Sequence, residues 1–156
     1  MIDLMFENIG LHHIGVLVVD IEDAAANFRS ILGYSVESEI IEDHFQTARV
    51  QFFRLPRATS WLELISPIGT GGKLNAAVAR GGGLHHICYE VKNLDAACHY
   101  FREKRCFMIS PPTEARAFPG RRIAWFMDDK RFLFELVETG PSPLSLESLL
   151  AISKEQ

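Results

Sequence analysis

Four of the six histidines in this 156-residue chain stand in two identical pentapeptides, GLHHI at Gly10 to Ile14 and again at Gly83 to Ile87, 73 residues apart. Neighbours along a strand point to opposite faces, so the surrounding residues decide which histidine does what. His12 shares a face with Ile14, Val16 and Val18, and His85 with Ile87, Tyr89 and Val91. That apolar face should pack beneath helices, making His12 and His85 hydrogen-bonded core residues. His13 lies instead with Gly15 and Leu17, and His86 with Cys88 and Glu90, a smaller and more polar lining that suits a cavity. A second doubling involves carboxylates: Glu63 in WLELISP matches Glu135 in FLFELVE, 72 residues on. Leu62 and Leu64 flank the first, Phe134 and Leu136 the second, and all four side chains take the face opposite the Glu. An ionised Glu in such a strand is costly to bury unless a cation or strong donors compensate it.

If two copies are related by a pseudo-twofold, His13, Glu63, His86 and Glu135 converge on one point. Two neutral imidazoles and two carboxylates neutralise a divalent ion and suit zinc, nickel, cobalt, manganese or iron(II). On an octahedral ion two adjacent positions stay open, so a substrate could chelate through two oxygens and the metal act as a Lewis acid toward an enolate. The expected chemistry lies next to a carbonyl. Singly, a strand His reads as core and a strand Glu as the wet face of an edge strand. Their joint recurrence in both copies favours the metal. Cys88 and Glu90 share the parity of His86 and read as filler or rim, with a catalytic role as the alternative. Arg49 and Gln51 alternate in a strand that either lines the same cavity or faces water. Arg121 and Arg122, beside Pro119 and Gly120, are either solvated or a grip for an anionic substrate. Gly81 to Gly83 lack phosphate-loop spacing and a Lys, so they read as linker.

These residues need elements to hold them. At the offset of 73, 8 of the 19 positions from Gly10 to Phe28 are identical, and each copy passes from an apolar strand to a helix start signal, Asp20 or Asn93. The first helix, IEDAAANFRSIL, is amphipathic and meets Gly33 where a left-handed cap would end it. Strands are expected near 35–41, 47–55 and 60–66, then near 106–110, 121–128 and 131–138. The fold class expected is α+β: two tandem βαβββ modules, about 10–68 and 83–138, forming a cup-shaped mixed sheet around the metal site within a single domain of residues 1–156. Five glycines punctuate the linker around a short helix, 74–80. In the tail, 139–156, Ser142 is a helix N-cap and Leu146, Leu149 and Leu150 share a face, as a docking helix or dimer contact would.

Composition narrows the partners. A formal charge of −4 offers no basic field for a phosphate backbone, so nucleic acid is an unexpected partner. Three cysteines form no paired framework, and the N-terminus MIDLMFENIG lacks a basic start followed by an apolar stretch. No apolar run approaches the roughly 18 residues of a membrane span. A cytoplasmic protein with a small-molecule substrate is the expectation.

With LHHIGVLVVDIEDA, LELISPI, GGLHHICYEV and FELVE in view, the sequence resembles the vicinal oxygen chelate superfamily from about Leu11 to Glu138, and within it most resembles the methylmalonyl-CoA epimerase family. The resemblance implies paired βαβββ modules cupped around a divalent metal held by His13, Glu63, His86 and Glu135. It implies a 2-acyl thioester as substrate, an acyl-CoA among the candidates, with Glu135 as the carboxylate that transfers a proton, and it implies a homodimer. The chain has AFPGRR and DDKR where epimerases carry a His-Gly-Lys-type segment and a longer turn. The alternatives are a glyoxalase I-type lyase and a non-enzymatic drug-binding protein of the same fold; Glu63 argues against the two-His, one-Glu dioxygenases.

Overall fold

The first helix shows how closely local chemistry sets the elements. In the computed structural model, which describes residues 6–140 and 144–145, α1 (Ile21–Leu32) begins where the Asp20 carboxylate accepts from the Asp23 amide. It ends at Gly33, whose φ of 76° lets its amide reach back to the Arg29 carbonyl. Asn93 caps the later helix α3 (Leu94–Glu103) in the same way, accepting from the Ala96 amide. Between them α2 (Lys73–Ala79) occupies the linker.

The described residues carry nine strands, and the chain divides into two compact units. A central unit spans His13–His85, and a flanking unit comprises the residues on either side of it. The division passes through β1 (Ile9–Leu17) between His12 and His13 and through β6 (Gly83–Val91) between His85 and His86.

In the central unit β1 lies parallel to β5 (Trp61–Pro67), which pairs antiparallel with β4 (Ala48–Arg54). The short strands β2 (Ser35–Val36) and β3 (Ile41–Asp43) both pair with β4, so the single strand expected near 35–41 is broken in two. Leu62 and Leu64 of β5 and Phe53 of β4 join Ile21 in a core covered by α1, with Val16, Val18, Ala24 and Phe28 packed against it. Ile21 is fully buried, and a large aliphatic side chain so placed contributes on the order of 1.5–3 kcal/mol.

The flanking unit repeats the plan. Strand β6 runs parallel to β9 (Leu133–Glu138), which pairs antiparallel with β8 (Arg122–Met127), and β8 with β7 (Phe107–Glu114). Leu94, Ala97 and Cys98 of α3 pack on Val91, Phe126, Phe134 and Leu136. Strand β7 is the last in this sheet; it contains Pro111 and Pro112 and leaves Phe107 67% and Ile109 55% exposed. The mixed α+β architecture is the one expected. No helix among the described residues is long and apolar enough to cross a membrane. The tail helix expected from Ser142, with Leu146, Leu149 and Leu150, lies outside the described residues, except that Leu144 and Ser145 are buried.

Candidate metal centre

Each unit builds the same arrangement on the sheet face away from its helix. In the central unit the register sets Gly15 opposite Glu63 and Phe52 opposite Glu63 on the other side, with His13 two residues before Gly15. In the flanking unit Cys88 and Trp125 stand opposite Glu135, with His86 two residues before Cys88. The four expected ligands are buried: His13 is 0%, His86 1%, Glu63 7% and Glu135 4% exposed. Neither Glu is the wet face of an edge strand.

In the central unit His13 Nε2 stands 3.2 Å from Glu63 Oε2. Two adjacent ligands bonded to one ion at about 2.1 Å stand roughly 3.0 Å apart, so this pair has the spacing and chemistry that a divalent ion accepts. In the flanking unit the Cys88 thiol donates to Glu135 Oε1 at 3.3 Å. An aromatic ring sits edge-on to each inner histidine: Phe52 to His13 at 5.4 Å between centroids, Trp125 to His86 at 4.6 Å. These rings limit the tilt of the imidazoles, and sequence reasoning missed both. The signal was present, since Phe52 and Trp125 are separated by the same 73 residues as the histidine pairs.

The outer histidines divide. His12 is fully buried, donates through Nε2 to the Leu144 carbonyl, and lies edge-on to Phe118, as a hydrogen-bonded core histidine should. His85 is half-buried; burial pushes its imidazole below the ordinary value while Glu63 pulls it back up.

Two open alternatives are decided. Arg49 and Gln51 do not line the inner face, because Phe52 opposite Glu63 fixes the parity of β4 and turns both the other way. Arg49 pairs with Glu22 of α1, and Gln51 donates to the Ser38 carbonyl. Nor are Arg121 and Arg122 an anion grip. Arg121, 1% exposed, is locked to Glu90, to the carbonyls of Glu138 and Leu144, and against the Phe118 ring. Arg122 bonds to Glu138 and Asp95. Glu90 is therefore an ion-pair partner rather than rim.

The model of the Glyoxalase/Bleomycin resistance protein/Dioxygenase superfamily matches residues 12–125. The chain belongs to this superfamily. Within the superfamily, it is 38% identical over 96 residues to the ethylmalonyl-CoA/methylmalonyl-CoA epimerase of Cereibacter sphaeroides, covering 60% of this chain and 69% of that protein. It is 34% identical over 106 residues to the mitochondrial methylmalonyl-CoA epimerase of Homo sapiens, covering 66% of this chain and 58% of the human protein. The chain thus spans less than two thirds of the mammalian relative. In fold it matches the crystal structure of methylmalonyl-CoA epimerase from Mycobacterium tuberculosis with a TM-score of 0.75 at 24% identity, over 91% of each chain.

Proposed function

We propose that the chain is a metal-dependent epimerase that removes and returns the proton α to the carbonyl of a 2-acyl thioester, with methylmalonyl-CoA as the first substrate to test. The observation that carries the reading is the duplicated set of buried His, Glu and aromatic side chains on the inner sheet faces; epimerase relatives at 34% and 38% identity support the substrate class. His13, Glu63, His86 and Glu135 are the residues proposed to hold one divalent ion. Such an ion, when bound, supplies Lewis-acid stabilisation of the negative charge that develops on the thioester oxygen. Glu135 takes the α-proton, the C–H electron pair passes into the enolate, and a second acid on the opposite face of the carbon gives up its proton there and inverts the centre. The inner positions of β4 beside Glu63 are Val50 and Phe52, so this strand offers no second acid there. Apolar neighbours keep water from the carbanion and raise the worth of every charge placed near it.

The test measures bound metal by elemental analysis in protein prepared without chelator, together with α-proton exchange of methylmalonyl-CoA in deuterated water. The expected result is near-stoichiometric metal and exchange in the wild type, with exchange reduced at least about 100-fold in Glu135→Ala. Metal without exchange would redirect the search to other α-carbonyl compounds. A protein that takes up no metal even after reloading would overturn the proposal.

A further inference from the structure

The two units share the inner histidine, the glutamate and an aromatic ring, and they differ at the residue that faces the glutamate. The residue facing Glu63 across the parallel strand pair is Gly15, which has no side chain, whereas the residue facing Glu135 is Cys88. Glu63 turns an oxygen to His13 at 3.2 Å; Glu135 accepts from the Cys88 thiol at 3.3 Å, and that thiol is fully buried. We propose that Cys88 is a positioning residue that sets the two glutamates apart, holding Oε1 of Glu135 and so fixing the plane of the carboxylate in which it transfers the proton. The inference rests on the epimerase reading and deepens it, by naming what assigns the proton to Glu135 rather than Glu63.

The physical basis is torsional. The last torsion of a Glu side chain is broad, so a carboxylate without a directing donor samples many orientations. A thiol is a weak donor toward neutral acceptors, but a hydrogen bond to an ionised acceptor is stronger than its neutral counterpart. Cys88 acts through Glu135 and is assigned no step of its own. Its contribution is to spare the carboxylate a search for the productive orientation, an effect that appears in kcat.

The experiment compares Cys88→Ala and Cys88→Ser with wild type in the metal-loaded protein, reading kcat and KM for α-proton exchange and metal content. In parallel, infrared spectra of the metal-free protein record the S–H stretching band of Cys88, assigned by its loss in Cys88→Ala. The expected result is a fall in kcat of about tenfold in Cys88→Ala, with KM within about twofold and metal content unchanged, and recovery of most of the rate in Cys88→Ser, which keeps a donor. The S–H band should move to higher frequency in Glu135→Ala. An unchanged kcat in Cys88→Ala, an equal loss in the Ser and Ala variants, a loss confined to KM or metal, or an S–H band indifferent to Glu135 would each overturn it. If the wild type exchanges no proton, the epimerase reading fails, and the infrared band still decides whether the thiol holds the carboxylate.

Discussion

Arg121 shows what a single buried charge asks of its surroundings. Its guanidinium gives hydrogen bonds to the Glu90 carboxylate and to two main-chain carbonyls, so each of its three nitrogens donates away from water. Burial nonetheless pulls it below the ordinary arginine value, with Glu90 opposing. Removing one partner leaves the other charged and buried, so Arg121→Met is expected to cost about 3–5 kcal/mol in urea unfolding, and Arg121→Met with Glu90→Leu distinctly less. Glu138 gives a pH-dependent counterpart. Its hydrogen bonds from Arg122 hold the carboxyl below the ordinary value, so it stabilises the fold above the unfolded carboxyl's range, and that contribution fades as pH falls through the depressed folded value. The difference in Tm between wild type and Glu138→Gln should therefore be largest near about pH 7 and shrink toward about pH 3. Neither pair was legible in advance. Arg121 meets Glu90 and Leu144 at sequence separations of 31 and 23, and adjacent arginines beside Pro-Gly look like a solvated loop until the chain is folded.

Among the elements, legibility tracked the range of the interactions. Both helix N-caps were readable because capping is decided within three residues. The face of β4 stayed open because both of its sides are covered: Phe52 and Phe53 are each fully buried, and a strand buried on both faces shows no polar alternation to set its phase. The turns make a graded test. At Gly33 an added Cβ meets nothing within 4 Å, so Gly33→Ala bears only the left-handed backbone and should cost about 1 kcal/mol. At Gly82, φ is also positive, and an added Cβ would lie 2.6 Å from the Leu17 carbonyl oxygen. Gly82→Ala must also displace the main chain of β1, so thermal unfolding should show the larger loss there.

For the molecule as a whole, the internal repeat carried most of what could be read. Offsets of 73 for the histidines and 72 for the glutamates picked out both capped helices and the four candidate ligands, because a duplicated chain repeats its constraints wherever the same physics applies. It could not reveal where the copies diverge in role: Gly15 and Cys88 occupy equivalent places, and only the contact with Glu135 shows that the difference matters. The metal reading also has a whole-molecule consequence. An ion that binds only the folded chain stabilises it by mass action, about 2.7 kcal/mol at 100 times its Kd. Adding the divalent ion to metal-free protein should raise Tm, and Glu63→Ala should abolish the rise while leaving the helix signal in circular dichroism intact.

Strand β7 governs how the protein behaves among copies of itself. A terminal strand invites any passing extended chain to add on, and the open side of β7 carries large apolar side chains that would reward the visitor. Pro111 and Pro112 remove two consecutive amide protons, so neither edge of the strand keeps an unbroken row of donors, and the pairing with β8 slips between Ser110 and Thr113 at the same place. Strand-by-strand growth has no continuous ladder to follow there. The expected outcome is an apolar rim kept in concentrated solution without seeding fibres, a protection that Pro111→Thr with Pro112→Val should remove in light scattering.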